Sequence, residues 1–221
     1  MLRFYEIREK VQTLSAQLTW SHYCEILSIE SLEKIKYYIK IAERQKLSVR
    51  QLREKIRNNE YERLPNDTKN ELINQSSSNV VDLIKNPILI NNSNNYISVF
   101  ERVLKQLILE DIDNFLLELG SGFSYIGNEY KIKTGDRYNY IDLLLYNIEF
   151  NCYVVVELKV IELRKEHIGQ IQIYMNYIDN NLRKISQDRT IGIIICKRDS
   201  KFVMEYCSDE RILTREYKIV L

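Results

Sequence analysis

YIDLLLYNIEFNCYVVVELKV, residues 140–160, divides into two apolar runs on either side of a polar turn. Ile141 to Leu145 reads as one strand and Tyr153 to Lys159 as a second, with Asn147 to Asn151 reversing the chain between them. Runs of Val, Leu, Ile and Tyr of this length, bounded by Asn, are strand signals, and their proximity makes a hairpin. Three charges interrupt the apolar runs: Asp142, Glu157 and Lys159. Charged side chains are almost never fully buried unless paired or bound to metal. Side chains alternate along a strand, so Glu157 and Lys159 share a side, about 6–7 Å apart. An antiparallel partner can bring Asp142 beside them. Two carboxylates and an amine at the end of an apolar sheet suit a hard cation such as Mg²⁺, which takes few carboxylate oxygens and leaves room for a substrate phosphate.

Outward from this hairpin the pattern alternates between helix and strand. Val103, Leu104, Leu107, Ile108, Ile112, Phe115, Leu116 and Leu119 keep helical period, which predicts one long helix over Ile97–Leu119, ended by Gly120. Phe123 to Ile132 is the next strand, and Thr134-Gly135-Asp136 turns the chain into the hairpin. After it, Ile168, Ile171, Met175, Ile178 and Leu182 form the buried stripe of a helix over Lys165–Leu182. Gln170 and Tyr174 stand four apart on one flank of that stripe. A neutral amide there can hydrogen-bond a phosphate or a water; the alternative is packing on the sheet. Thr190 to Cys196 is a fully apolar strand, expected to be central and parallel to a neighbour through the crossover helix. Lys197 and Arg198 follow it, placed to meet a nucleic-acid backbone. Phe202 to Tyr206 reads as an edge strand.

Asp142, fourteen residues, and then Glu157-Leu158-Lys159 resembles the Asp…Glu-x-Lys signature of the PDDEXK (restriction-endonuclease-like) nucleases. Gln170-x-x-x-Tyr174 resembles the RecB-like branch of that superfamily. Phe115 to Gly120, Tyr140 to Leu144, Tyr153 to Lys159 and Gly169-Gln170 together resemble the bacterial YhcG-like family, which joins an N-terminal helical domain to a C-terminal PDDEXK domain. Ile141 stands where the superfamily's name has Pro, at a position that varies widely. The resemblance implies an α/β (α+β) chain whose C-terminal domain is an αβββαβ unit around a central mixed sheet. It also implies Mg²⁺ or Mn²⁺ held by Asp142 and Glu157, with the Leu158 carbonyl as a further ligand. Lys159 would position water or neutralise developing charge, and Gln170 would assist. PDDEXK domains open with a helix whose carboxylate often joins the metal; Glu118 fits the family segment best, with Asp113 and Glu110 as rivals. The expected activity is hydrolysis of DNA, endonucleolytic rather than exonucleolytic. Many such enzymes cut as dimers, so a homodimer is admitted. The competing reading is a non-catalytic DNA-binding or assembly module in which Lys159 merely pairs with Asp142 or Glu157; an RNA-directed enzyme is a third.

Residues 1–65 read as a helical domain. Tyr23, Ile26 and Leu27 mark one helix; Ser31 opens a second with Leu32, Ile35, Ile39 and Ala42 inward; Ser48 caps a third, Val49–Asn58, with Leu52 and Ile56 inward. Helix, short turn, helix is the outline of a helix-turn-helix. Arg50, Arg53, Lys55 and Arg57 on the last helix are either a phosphate-contacting face or a solvated basic one. Trp20 reads as a core anchor, and His22 and His167 as structural. Residues 66–97 are rich in Ser and Asn and read as a linker, with a short helix at Val80–Lys85. Residues 98–221 form the nuclease-like domain.

The chain has 32 Lys and Arg against 31 Asp and Glu, so it is no global polycation and DNA contact must rest on local patches. The excess is in residues 1–65, with 13 basic against 9 acidic; the rest holds 19 against 22. Cys24, Cys152, Cys196 and Cys207 lack Cys-x-x-Cys spacing, which excludes a zinc ribbon and favours a reducing cytoplasm. Met1 to Lys10 is charged and is not a signal peptide. No apolar run approaches the ~18 residues of a membrane span.

Overall fold

The computed structural model describes residues 18–65, 68, 69 and 84–220. The chain divides into two compact units, Met1–Ser77 and Ser78–Leu221. Most of the short helix expected at Val80–Lys85 lies outside the described residues.

The first unit contains α1 (Trp20–Ile26), α2 (Leu32–Arg44) and α3 (Val49–Arg57). Each start is chemically capped. The Ser31 hydroxyl accepts from Lys34 N–H, and Ser48 forms a reciprocal box with Gln51. Tyr23, Ile26, Ile35, Tyr38, Ile39, Ala42 and Leu52 meet in one core. His22 is structural: its Nε2 lies 2.9 Å from the Leu47 carbonyl and its Nδ1 2.8 Å from Thr19 Oγ1. Trp20 is not a core anchor; it begins α1 and is 54% exposed. On α3, Arg53 pairs with Glu25 at 2.6 Å and Lys55 with the buried Glu60 at 2.8 Å. Arg50 and Arg57 are exposed.

The second unit is built on a six-stranded mixed sheet in the order β1-β6-β5-β4-β3-β2. In chain order it runs β1 (Ile88–Asn91), α4 (Glu101–Glu110), α5 (Ile112–Leu119), β2 (Phe123–Thr134), β3 (Arg137–Asn147), β4 (Cys152–Glu162), α6 (Lys165–Asn181), β5 (Ile191–Arg198), α7 (Lys201–Glu205) and β6 (Ile212–Val220). Strands β2, β3 and β4 are an antiparallel meander. Through α6 the chain crosses to β5, parallel to β4, and β6 and β1 continue the parallel half. One face of the sheet packs Leu143, Leu145, Val154, Val156 and Ile193 against Val103, Leu104, Leu107 and Phe115 of α4 and α5. The other packs Leu144, Val155 and Ile194 against Ile171, Met175 and Ile178 of α6. Gly192 lets α6 approach β5: a Cβ there would lie 2.5 Å from Met175 Sδ and 2.9 Å from Ile171 Cδ1.

Three sequence expectations are corrected here. The long helix over Ile97–Leu119 is two helices. Asp111 leaves helical geometry (φ −131°, ψ 44°), and its carboxylate accepts from Asn91 Nδ2 at 2.9 Å and Asn114 Nδ2 at 2.7 Å. An Asp that finds side-chain partners competes with the helix backbone, and here it wins. Phe202 to Glu205 lie in α7 and Tyr206 is its C-cap, so this stretch is not an edge strand; Phe202 and Tyr206, four apart, stack edge to face at 5.1 Å. The tail supplies the strand instead, as β6. Finally, the stretch expected as linker contains β1 and an ordered loop. Asn92 bonds Tyr96 through both ends of its side chain, so this Asn run is a set of pinned turns.

Candidate active site

The last rung of the β3–β4 ladder is Leu143 opposite Val156. Beyond it the strands fork. β3 stays with β2, pairing Ile141 to Tyr130, while β4 stays with β5, pairing Glu157, Leu158 and Lys159 to Ile194, Ile195 and Cys196. Main-chain donors exposed by the fork are taken by two carboxylates. Asp142 Oδ2 accepts from Leu158 N–H at 3.0 Å, and Glu157 Oε1 lies 3.4 Å from Asp142 N. Each acid thus replaces a missing carbonyl of the opposite strand, which is why the two side chains converge.

Lys159 Nζ donates to Glu157 Oε2 at 3.1 Å, as the same-side spacing requires. The structure therefore brings Asp142, Glu157 and Lys159 together. Asp142 is 8% and Glu157 2% exposed. Burial, and then the like charge of Asp142, push the Glu157 carboxyl up to about 7. Burial alone would lower the Lys159 ammonium, but Glu157, with smaller help from Glu101 and Asp142, holds it above its ordinary value.

Helix α4 adds two residues that the sequence did not single out. Glu101 Oε1 is 3.8 Å from Lys159 Nζ, and Lys105 Nζ is 2.6 Å from Asp142 Oδ1. These are an i,i+4 pair, so one helix lays an acid near the site's lysine and a lysine on the site's acid. Lys105 also reaches Glu129 Oε1 at 3.4 Å. Glu129 belongs to the β2 residues opposite Asp142, between the pairs Asn128–Leu143 and Tyr130–Ile141, and has φ +47°. Spacing along the chain carries no sign of these contacts, since residues 101, 105 and 129 share no period with 142 or 157.

Gln170 and Tyr174 flank the group from α6. Gln170 Nε2 donates to the Tyr174 hydroxyl at 2.9 Å. Burial raises the Tyr174 phenol, and Glu157 acts in the same direction, which puts that hydroxyl within the field of the pair. His167 is structural on α6: its Nδ1 accepts from Arg164 N–H at 3.1 Å.

The structure does not bring Glu118 to this group. Glu118 Oε1 accepts from Leu89 N–H at 3.0 Å and its Oε2 pairs with Lys85 at 3.2 Å. It serves β1, separated from β4 by β6 and β5. Glu110 accepts from Asn94 and Gln106, and Asp113 stands in the first turn of α5. A cavity of about 700 Å³ lies elsewhere, between the start of α6 and α7, and none of Asp142, Glu157 or Lys159 lines it.

Among the described residues no three His, Cys, Asp or Glu side chains cluster for a metal. Two carboxylates do, and the Leu158 carbonyl and water remain as donors. An all-oxygen set of this size fits Mg²⁺ or Mn²⁺ rather than zinc. Both carboxylates are buried and fixed by main-chain N–H groups, and two such acids side by side gain from a shared cation.

Comparison with known proteins identifies the family. The model of the YhcG PDDEXK nuclease domain matches residues 81–221, and that of the DUF1016 N-terminal domain matches residues 1–63. The curated Escherichia coli (strain K12) protein named "Putative nuclease YhcG" is 26% identical over 222 residues, covering 95% of this chain and 59% of the relative. The chain thus spans 59% of that relative's length. Among solved structures, a repair endonuclease from Pyrococcus abyssi has a TM-score of 0.38 at 18% identity, over 55% of this chain and 48% of that one. A complex of EndoMS with double-stranded DNA has a TM-score of 0.41 at 18% identity, over 57% and 48%.

Proposed function

Because the chain belongs to the YhcG PDDEXK nuclease family, we propose that it is a divalent-metal-dependent nuclease hydrolysing DNA phosphodiesters at Asp142, Glu157 and Lys159. The observation that carries this is the fork between β3 and β4, where both acids are fixed by main-chain N–H groups and Lys159 stands against one of them. When bound, Mg²⁺ or Mn²⁺ supplies Lewis-acid polarisation of a phosphoryl group and a more acidic water. Asp142 and Glu157 hold the ion, with the Leu158 carbonyl beside them. Leu158 N–H already fixes Oδ2 of Asp142 and so sets the orientation of that carboxylate. Lys159 keeps its proton, placing a positive charge where negative charge grows on the phosphoryl oxygens. Glu101, near that ammonium, limits how far it wanders. Gln170 orients the Tyr174 hydroxyl beside the group and supplies a neutral hydrogen bond to phosphate or water. The helical unit offers Arg50 and Arg57 to the DNA backbone in a helix-turn-helix arrangement. The protein's free cysteines suit a reducing cytoplasm, and a second copy would let it cut both strands.

The test is nicking of supercoiled plasmid with Mg²⁺ or Mn²⁺, with and without chelator. A closed circle offers no end, so nicking also separates endonuclease from exonuclease; a parallel RNA substrate tests the choice of nucleic acid. Asp142→Asn keeps an acceptor for Leu158 N–H but loses the charge, so its stability should hold while nicking falls to background. Asp142→Ala leaves that buried N–H unpaired and should also cost about 1–3 kcal/mol in urea denaturation. If Asp142→Asn nicks as fast as wild type, the chemistry is not here and the non-catalytic reading takes its place.

A further inference from the structure

The two oxygens of Asp142 have different partners. Oδ2 is held at 3.0 Å by Leu158 N–H, a main-chain donor that cannot leave without opening β4. Oδ1 faces the Lys105 ammonium at 2.6 Å, a side-chain partner on a flexible stem. Oδ1 is therefore the Asp142 oxygen best placed for a cation, and a cation of the chain's own is already against it. Lys105 has a second partner: Glu129 Oε1 is 3.4 Å away, on a side chain 64% exposed. A cavity of about 330 Å³ opens beside the two, lined also by Arg102, Gln106 and Asn128.

We infer that Lys105 is an internal competitor for the metal, holding Asp142 Oδ1 until a divalent ion displaces it onto Glu129. The inference rests on reading the site as a divalent-metal site. Mg²⁺ binds a carboxylate oxygen at about 2.0–2.1 Å. With the ammonium 2.6 Å from that same oxygen, the two positive charges would be near neighbours in a poorly hydrated site, and they repel strongly there. One must move, and Lys105 can: its stem has freedom, Glu129 receives the charge, and the adjoining cavity gives it room. While Lys105 is in place, Asp142 and Glu157 each have a cation, Lys105 and Lys159 respectively, so the forked strands do not hold two uncompensated acids. Once displaced, the ammonium lies beside the site, where a phosphate backbone would meet it.

The experiment is calorimetric titration with MnCl₂, without nucleic acid, of wild type, Lys105→Met, Lys105→Gln, Glu129→Gln and Asp142→Asn, with a metal-free urea midpoint for each. The expected result has opposite signs. Both Lys105 variants bind Mn²⁺ about tenfold tighter or more, because the competing charge is gone, yet are less stable without metal. Glu129→Gln binds more weakly, because the displaced ammonium loses its receiver. Lys105→Gln retains hydrogen bonding and serves if the Met variant does not fold, and Glu129→Gln reads the same equilibrium with Lys105 intact. Equal or weaker Mn²⁺ binding by a folded Lys105 variant overturns the inference, as it makes Lys105 a support of the site. If wild type binds no Mn²⁺, or Asp142→Asn binds it equally well, the metal reading fails instead.

Discussion

At Glu157 burial works against the charged form of the side chain. In an unfolded chain it is an ordinary carboxyl, with a reference value of 4.5; folded, burial and the neighbouring Asp142 lift it to about 7. A carboxyl raised by folding favours the folded state while protonated. Its contribution is complete below about pH 4.5 and is lost as pH rises through about 7. The metal-free protein should therefore lose more urea resistance between pH 5 and 8 than Glu157→Gln does. His167, shifted downward by burial and then by Lys159, titrates in both proteins, so their difference isolates the carboxyl. Parallel pH profiles for the two would mean that Glu157 does not carry this penalty. Asp142, Glu157 and Lys159 were legible at this scale because charge within an apolar strand is conspicuous. Glu118 was not placed correctly from sequence, because a carboxylate on a helix gives no sign of its partner. Its partners, Lys85 and Leu89 N–H, come from a segment that reads as linker.

Elements are positioned here by a few close approaches. Helix α6 carries Gln170 and Tyr174, and its height above the sheet is set where Met175 and Ile171 rest over Gly192. Gly192→Ala inserts a methyl where no space exists, an overpacking change that should cost about 1–3 kcal/mol. Met175 and Ile171 must shift on the helix that carries Gln170 and Tyr174, so nicking activity should drop as well, although residue 192 lies outside the charged group. A variant with the urea midpoint of wild type would show that α6 yields without cost. The amphipathic stripes of α2, α3 and α6 were readable from period, as were strands β2 to β5. The break at Asp111 was not, since apolar positions keep helical period across it and the cause is Asn91 on another element. Helix α7 was misread because five residues are too few to separate a period of two from one of 3.6.

At the scale of the whole molecule, each unit has its own core. Tyr38, Ile39 and Leu52 serve the first; two apolar clusters on opposite faces of the sheet serve the second. A fragment of residues 78–221 should therefore fold alone, unfold in one cooperative step, and bind Mn²⁺ with the affinity of the whole chain. Circular dichroism in urea and calorimetry check both. A fragment that is unfolded, or folded but unable to bind metal, would show that the site depends on residues 1–77.

Local chemistry was sufficient to reveal the apolar strands, the helical stripes, the caps at Ser31 and Ser48, and the acids and lysine of the hairpin. Such features repeat over two to seven residues, and their signals survive in a single segment. Strand β6 between β5 and β1, the fork that turns two carboxylates toward each other, and the approach of Lys105 and Glu101 could not be read in this way. They join positions tens of residues apart through sheet order and helix placement. The partner of a long charged side chain is settled by which element packs over it, and no spacing along one chain records that.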